Sequence, residues 1–301
     1  FVTGAGPEEA SVLAADLINS VGAAYEIEGQ AVSIGLSVGI ALAPRDGNDP
    51  QGLLRTADMA LYRAKAEGRG IFRFFDAEMG LRIQERRKLE MDLRRALADG
   101  QFQLDFQPLV DLASARIVAA EALVRWRLSD GRLVPPDEFI PLAEEIGLIV
   151  PLGQWILQHA CHVASTWPEH VRLAVNLSPV QFQHPGLVSV ITSALINAGL
   201  SPSRLELEIT EGVLMQSDLG TVELLHQLKA LGVRIALDDF GTGYSSLSYL
   251  RSFPFDKIKI DRSFVADMDS RADAAAIVQA VASLGASLGM TTTAEGIETQ
   301  A

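Results

Sequence analysis

Hydrophobic and polar residues alternate with two different spacings along this chain, and the spacings predict where strands and helices lie. From residue 101 onward, short apolar runs typical of strands are separated by longer stretches with helical periodicity. The predicted strands cover residues 102–110, 117–126, 172–177, 205–209, 234–238, 257–260 and 291–295. After the first of them this is a repeated strand–helix series, which predicts a parallel α/β sheet or barrel with right-handed crossovers.

The first 75 residues show a separate mixed pattern, in the order helix, strand, helix, strand. Apolar spacing predicts a helix over 10–21, and alternating small and branched residues predict a strand over 31–43. Residues 44–50 are expected to form a loop. An amphipathic helix is expected over 53–67, ending before Gly68 and Gly70.

A highly charged segment separates these two patterns. Between residues 78 and 99, apolar side chains recur with charged residues between them, at Leu81, Leu89, Leu93 and Leu97. Such a pattern is typical of a solvated helix with ion pairs along it. The sequence therefore predicts an α/β domain over 1–75, a connector helix over 76–100 and a second α/β domain over 101–301.

Oxygen donors follow nearly every strand predicted in the second domain. The oxygen donors are Glu121, Asn176, Glu208, Glu211, Asp238, Asp239, Asp261, Glu295 and Glu298. One lysine, Lys259, lies at an equivalent position. The carboxyl ends of parallel strands meet at one edge of a sheet or one mouth of a barrel. We therefore expect these side chains to converge on one site.

The chemistry of the donors indicates hard metal ions. Carboxylate and amide oxygens without His or Cys suit Mg²⁺ or Mn²⁺, and clustered carboxylates need cations to stay ionised. Adjacent aspartates such as Asp238 and Asp239 allow one carboxylate to bridge two ions, an arrangement used for in-line phosphodiester hydrolysis.

Each of these residues also has a simpler interpretation. A single acid at a strand end is often a helix N-cap or a solvated loop residue. Asn176 would serve equally as a turn cap, and Lys259 as an exposed residue or as the structural counter-charge of one carboxylate. The recurrence of acids at the same place in successive repeats favours the functional interpretation.

The composition of the chain argues against several kinds of binding site. The chain has 301 residues, 48% of them hydrophobic, and a formal net charge of −13, which argues against binding to DNA or RNA polymers through a general basic surface. A single cysteine rules out an internal disulfide and fits a cytoplasmic setting. Cys161 lies between His159 and His162, where a core position is favoured over a metal site.

Residues 274–290 form the most apolar stretch. Gln279 and two serines interrupt it, so a buried or amphipathic helix is expected there, without membrane contact from this segment. A membrane anchor upstream of the chain remains compatible with this pattern, because the chain begins within a predicted domain.

The motifs of the second predicted domain resemble those of a known family. Glu-Ala-Leu at 121–123, followed by Arg125, is similar to the signature of EAL-domain cyclic di-GMP phosphodiesterases. Six further blocks match in order: Phe-Gln-Pro at 106–108, Asn-Leu-Ser-Pro at 176–179, Glu-Ile-Thr-Glu at 208–211, Asp-Asp-Phe-Gly-Thr-Gly at 238–243, Lys-Ile-Lys-Ile-Asp at 257–261 and Ala-Glu-Gly-Ile-Glu at 294–298. The resemblance implies a TIM-like (β/α) barrel with an antiparallel first strand. It also implies a barrel that is incomplete at its C-terminus, because the family has a last strand and helix beyond these blocks.

Residues 1–75 resemble the C-terminal half of a GGDEF domain. The matching features are Ser-Val-Gly-Ile-Ala at 37–41, Pro-Arg-Asp-Gly at 44–47 and the helix around Ala57, Asp58 and Tyr62. The Gly-Gly-Asp-Glu-Phe signature is absent from this chain, so we do not expect diguanylate cyclase activity from it.

The resemblance assigns roles to individual residues. One metal ion would be held by Glu121, Asn176, Glu208 and Asp238, and a second by Asp238, Asp239 and Glu295. Lys259 would contact the hydrolytic water and act in catalysis with Glu121 and Glu295. Substrate contacts would come from Gln107, Leu123, Arg125, Asp261 and Glu298.

Further implications concern a loop and the assembly. Residues 239–246 are similar to a mobile loop that links metal binding, dimerisation and activity, and Glu211 to the acid that holds this loop. Glu211 would serve equally as a helix-start acid, and Arg125 as a member of a surface ion pair. A homodimer through the EAL domain is implied.

The resemblance predicts a phosphodiesterase that converts cyclic di-GMP to linear pGpG in bacterial signalling. Three alternatives stay open: a non-catalytic cyclic di-GMP receptor, a regulatory or dimerisation module, and a different metal-dependent hydrolase on the same barrel. The presence of every matching ligand residue favours the phosphodiesterase over the receptor.

Overall fold

The computed structural model describes residues 1–23, 25–27, 30–32, 34–215, 219–241, 253–266 and 272–297. The chain divides into two compact units, Phe1–Asp92 and Leu93–Ala301. The sequence predicted one domain over 1–75 and another over 101–301, joined by a connector helix over 76–100. These limits stay a prediction.

The first unit is a small α/β body. Its elements are α1 (Pro7–Gly22), β1 (Tyr25–Ile27), β2 (Gln30–Val32), β3 (Val38–Ile40), α2 (Pro50–Ala66), β4 (Phe72–Phe74) and the greater part of α3 (Ala77–Ala96). Asp49 caps α2 by accepting a hydrogen bond from the Gly52 amide at 2.8 Å, and Pro50 occupies the first helical position. This helix therefore begins three residues before the predicted start.

The prediction of one strand over 31–43 is wrong. β2 pairs with β1 in one two-stranded sheet, whereas β3 pairs in parallel with β4 in another. The alternating pattern continues across both strands, but the chain changes sheet between them. At Gly39 a Cβ atom would clash with the Ala57 carbonyl oxygen, so the glycine allows β3 to lie directly against α2.

The second unit contains the large sheet and its helices. The strands are β5 (Phe102–Asp111), β6 (Arg116–Arg127), β7 (Leu133–Val134), β8 (Arg172–Leu177), β9 (Leu205–Thr210), β10 (Arg234–Phe240), β11 (Lys257–Ile260) and β12 (Thr291–Ala294). The helices are α4 (Pro136–Glu145), α5 (Ile149–Ala164), α6 (Pro179–Phe182), α7 (Leu187–Ala198), a 3₁₀ turn (Pro202–Arg204), α8 (Glu211–Met215), α9 (Leu219–Ala230), α10 (Arg262–Ala266) and α11 (Ala272–Ser287).

The strand order is β12–β11–β10–β9–β8–β6–β5, with β7 beside β6. β5 and β7 are antiparallel to β6, whereas β6, β8, β9, β10, β11 and β12 run parallel to one another. Among the described residues the two end strands of this order do not pair with each other, so the sheet is an open, TIM-like half-barrel. This confirms the predicted fold class, and all seven predicted strands are present.

Helices α5 and α11 contain Cys161, for which the sequence predicted a core position, and most of the apolar stretch 274–290. Cys161 is buried in α5, and burial raises the pKa of its thiol to about 12, as expected for a core position. His159 is exposed and lies against the Trp155 ring with centroids 4.3 Å apart. The stretch 274–290 is mostly helix α11, with a buried face that includes Ala274 and Val281.

Within the residues that the structure describes, no helix combines the length and the hydropathy needed to span a membrane.

Candidate active site

Lys259 lies at the centre of the carboxylates at the strand ends. It is only 1% exposed and is delivered by β11. Its Nζ atom lies 2.6 Å from oxygens of Glu208 and Glu295, 3.1 Å from Asp238 and 3.5 Å from Glu121. Acids that are up to 174 residues apart in sequence therefore share one ammonium group, and the exposed position considered for Lys259 is wrong.

The register of the parallel strands brings one half of this site together. Asn176 on β8 is in register with Glu208 on β9. The Asn176 side-chain amide donates a 2.7 Å hydrogen bond to Glu121 Oε1 on β6. The capping position of the next helix belongs to Ser178, whose Oγ accepts from the Val180 amide. Asn176 is thus not the turn cap, and its amide faces the acids.

A β-bulge brings the other half together. On β10, Leu237 pairs with Ile258 and Phe240 pairs with Ile260, so Asp238 and Asp239 share a space that a regular strand would give to one residue. Asp239 has a left-handed backbone, with φ of 52°, which aspartate tolerates better than most residues. Neighbouring residues of a regular strand point to opposite faces; the bulge removes that alternation.

The residues around the bulge have the chemistry of a metal site. Carboxylate oxygens of Asp238, Asp239 and Glu295 lie within 4.8 Å of one another. Glu208 is 1% exposed, and its Oε1 atom has no hydrogen-bond partner among the residues that the structure describes, although buried carboxylate oxygens are normally satisfied. An oxygen-only donor set with an unsatisfied buried carboxylate oxygen fits Mg²⁺ or Mn²⁺.

Electrostatics at the site also favour a bound cation. Burial raises the pKa of Glu208 to about 8, although the nearby Lys259 ammonium opposes the shift. Burial likewise raises the pKa of Asp239 and of Glu295. Burial lowers the pKa of Lys259, but the four surrounding carboxylates outweigh it and raise that pKa above its ordinary value. The site thus holds more acids than one ammonium group can balance.

Glu211 lies at the first position of α8, and its Oε1 accepts a hydrogen bond from the Gly241 amide at 2.9 Å. It therefore starts a helix and also holds the residue that follows β10. Whether it anchors a functional loop stays a prediction, because residues 242–246 lie outside the described residues. Glu298, predicted to contact substrate, lies outside them as well.

The remaining predicted substrate residues line the same side of the sheet. Gln107 on β5 is exposed and in register with Glu121, and Leu123 is half-buried two residues further along β6. Arg125 donates from Nε to Asp105 Oδ2 at 2.8 Å, so the ion pair considered for it is present. Their contacts with substrate stay predictions.

Asp261 follows β11 directly. Its Oδ1 accepts hydrogen bonds from the Ser263 hydroxyl and amide, and the hydroxyl bond, with the backbone amides, lowers the pKa of Asp261. The two hydrogen bonds from Ser263 orient the carboxylate, and its contact with substrate also stays a prediction.

Sequence reasoning missed two buried charged residues below the site, Glu206 and Lys257. They are 0% and 3% exposed and form an ion pair. A signal was available, because each lies two residues before a predicted site residue on the same strand, and residues two apart share a face.

Comparison with known proteins matches both units. The family model of the EAL domain matches residues 90–301, and the model described as "Diguanylate cyclase, GGDEF domain" matches residues 2–70. An uncharacterised signalling protein of Caulobacter vibrioides is 50% identical over 98% of this chain and 36% of its own length.

Two comparisons concern proteins with a named activity. The bifunctional diguanylate cyclase/cyclic di-GMP phosphodiesterase MucR of Pseudomonas aeruginosa is 42% identical over 98% of this chain and 44% of its own length. A solved structure of the MucR phosphodiesterase in complex with cyclic di-GMP has a TM-score of 0.68 and 43% identity, covering 71% of this chain and 88% of that one. The chain thus spans less than half the length of these two curated relatives.

Proposed function

The chain belongs to the EAL-domain family, with a GGDEF-related segment before the EAL domain, and we propose that it hydrolyses cyclic di-GMP to linear pGpG with two divalent metal ions. Relatives in this family include named cyclic di-GMP phosphodiesterases. The observation that carries the proposal is the group of carboxylates around buried Lys259 at the strand ends.

Two overlapping sets of side chains would hold the metal ions. Glu121, Asn176, Glu208 and Asp238 form the first set, and Asp238, Asp239 and Glu295 form the second. The mutual distances of the second set and the unsatisfied oxygen of Glu208 support this assignment. Bound Mg²⁺ or Mn²⁺ would supply positive charge that activates water and stabilises the charge developing on the phosphate oxygens.

The protein's own residues would position the reactants. The Lys259 ammonium would donate a hydrogen bond to the attacking water and favour its deprotonation through positive charge. Glu121 and Glu295 lie within 3.5 Å and 2.6 Å of that ammonium, so they would orient it as well as bind metal. Their catalytic role is proposed from the match of both residues to the family's motif positions.

Substrate would lie along β5, β6 and the end of β11. Arg125 has the planar fork of donors that suits a phosphate, and its Nε contact with Asp105 fixes the orientation of that fork. Gln107, Leu123 and Asp261 would contact the nucleotide beside it, with Glu298 as a further contact. We also propose dimerisation through the EAL domain.

The test is product formation with a matched pair of variants. The protein is incubated with cyclic di-GMP and Mg²⁺ or Mn²⁺, and pGpG is followed by chromatography. Glu121→Gln should abolish most of the activity, because it removes a ligand charge without changing the size of the side chain. Glu169→Gln is the control, since Glu169 is exposed in the loop that precedes β8, at the opposite ends of the strands.

Two outcomes would contradict the proposal. No pGpG from the folded protein with either metal removes the hydrolase assignment, and tight binding of intact cyclic di-GMP would then favour the receptor alternative. Equal activity of Glu121→Gln and Glu169→Gln would remove the metal-site assignment.

A further inference from the structure

A second buried lysine–glutamate pair lies beneath the candidate active site. Glu206 precedes Glu208 by two residues on β9, and Lys257 precedes Lys259 by two residues on β11, so each pair of like residues shares a strand face. Lys257 Nζ donates to Glu206 Oε1, as Lys259 Nζ donates to Glu208 Oε2. We call the Glu206–Lys257 pair the lower rung and the Glu208–Lys259 pair the upper rung.

Both rungs cross β10, which lies between β9 and β11 in the sheet. Ala236 on β10 is in register with Glu208 on one side and with Lys257 on the other. Lys257 therefore lies at the same level of the sheet as Glu208. It nevertheless pairs with Glu206, which lies two residues nearer the amino end of β9. The small, fully buried side chain of Ala236 leaves room for the lysine to cross.

Among the described residues, both carboxylate oxygens of the lower rung have a partner, whereas one carboxylate oxygen of the upper rung has none. Glu206 Oε2 lies 3.4 Å from Arg234 Nε, so both of its oxygens have a cationic partner. Arg234 lies 3.9 Å from Asp256, which accepts two 2.7 Å bonds from Lys229. In contrast, Glu208 Oε1 has no hydrogen-bond partner within the described part of the chain.

We propose that Glu206 is a positioning residue that holds Lys257 in the lower rung and so keeps Glu208 available to a metal ion. This inference rests on the proposed function, since it concerns metal binding at the same site. A buried ammonium group without a counter-charge is strongly unfavourable. Without the charge of Glu206, Lys257 turns to Glu208, the carboxylate at its own register level with an unsatisfied oxygen, and competes with the metal.

The proposal is tested with Glu206→Gln and with the double variant Glu206→Gln/Lys257→Met. Mn²⁺ affinity is measured by isothermal titration calorimetry on the folded, metal-free proteins, and thermal unfolding is recorded in parallel. We expect Glu206→Gln to weaken Mn²⁺ binding by about tenfold, the range seen when residues behind metal ligands are changed. The double variant should recover most of that loss, because the competing ammonium is gone. Glu169→Gln is the surface control.

Several results would overturn the proposal. A lower unfolding temperature of Glu206→Gln with unchanged Mn²⁺ affinity would show a structural role only, and a double variant as weak as the single one would exclude competition by Lys257. If Glu206→Gln does not fold, Glu206→Asp replaces it, since it keeps the charge but withdraws the carboxylate from Lys257; unchanged affinity would again overturn the proposal. Absence of Mn²⁺ binding to the unaltered protein is a different result, because it removes the proposed function itself.

Discussion

At the scale of single residues, Lys259 has more carboxylates around it than one ammonium group can neutralise. Four of them lie within 3.5 Å of its Nζ atom. In the metal-free protein this lysine is therefore both the structural counter-charge of the site, one of the simpler interpretations of the sequence, and the group proposed to orient water. The two roles are separable, because metal ions can replace the first but not the second.

Replacing Lys259 by methionine should separate these roles. Lys259→Met should destabilise the metal-free protein by about 3 kcal/mol, since it leaves buried carboxylates without their partner. Saturating Mg²⁺ should recover more stability in the variant than in the unaltered protein, while pGpG formation stays lost. Urea unfolding with and without Mg²⁺ measures the effect, and Lys65→Met, at an exposed position on α2, is the control. Equal stabilisation of both proteins by Mg²⁺ would contradict this account.

At the scale of elements, the end of β10 is held from two sides. Glu211 at the start of α8 accepts the Gly241 amide, and Phe264 on α10 lies so close that a Cβ atom on Gly241 would meet its ring at 2.9 Å. Gly241 also has φ of 100°. Two residues after Asp239, the narrow space beside Phe264 therefore admits only a glycine.

Gly241→Ala should disturb the metal site more than it disturbs the fold. The positive φ costs about 1–2 kcal/mol for a side chain, and the clash with Phe264 should shift the end of β10 and weaken Mn²⁺ binding severalfold. Gly289→Ala is the matched control, because Gly289 also has a positive φ, of 72°, but has nothing within 4 Å of its Cβ position. Calorimetric titration and thermal unfolding of both variants provide the comparison. Equal Mn²⁺ affinity in the two would mean that the contact with Phe264 does not support the site.

At the scale of the whole molecule, the charge of the chain opposes its proposed substrate. The formal net charge is −13, and the site itself has an excess of carboxylates over cationic groups. An anionic dinucleotide is repelled by such a surface unless cations are bound at the site. Substrate binding should therefore depend on metal as strongly as hydrolysis does.

Removal of metal should weaken binding of a slowly hydrolysed phosphorothioate analogue of cyclic di-GMP. We expect the affinity in EDTA to be lower than in Mg²⁺ on the order of tenfold or more, because metal charge replaces repulsion by attraction. Fluorescence or calorimetric titration measures the affinity. KCl at matched ionic strength serves as the control for general screening. Equal affinity with and without metal would favour a metal-independent receptor.

Much of the fold and of the candidate site follows from local patterns. The apolar runs located seven of the eight strands of the large sheet, since strands buried on both faces are rich in apolar residues. The two-residue strand β7 was not predicted. The acids after those runs converge because the carboxyl ends of parallel strands meet. The prediction of one strand over 31–43 was wrong, because a periodic pattern does not show which neighbouring strand a segment pairs with.

By itself, the sequence determined the strand–helix order, the family blocks and the kind of donors at the strand ends. Only the tertiary structure decided that Asp238 and Asp239 face one site, through a bulge that breaks strand alternation. It alone decided that Lys257 pairs with Glu206 and that, among the described residues, one oxygen of Glu208 has no hydrogen-bond partner. These contacts join residues 51 apart across an intervening strand, and they depend on sheet order and register, which no local spacing encodes.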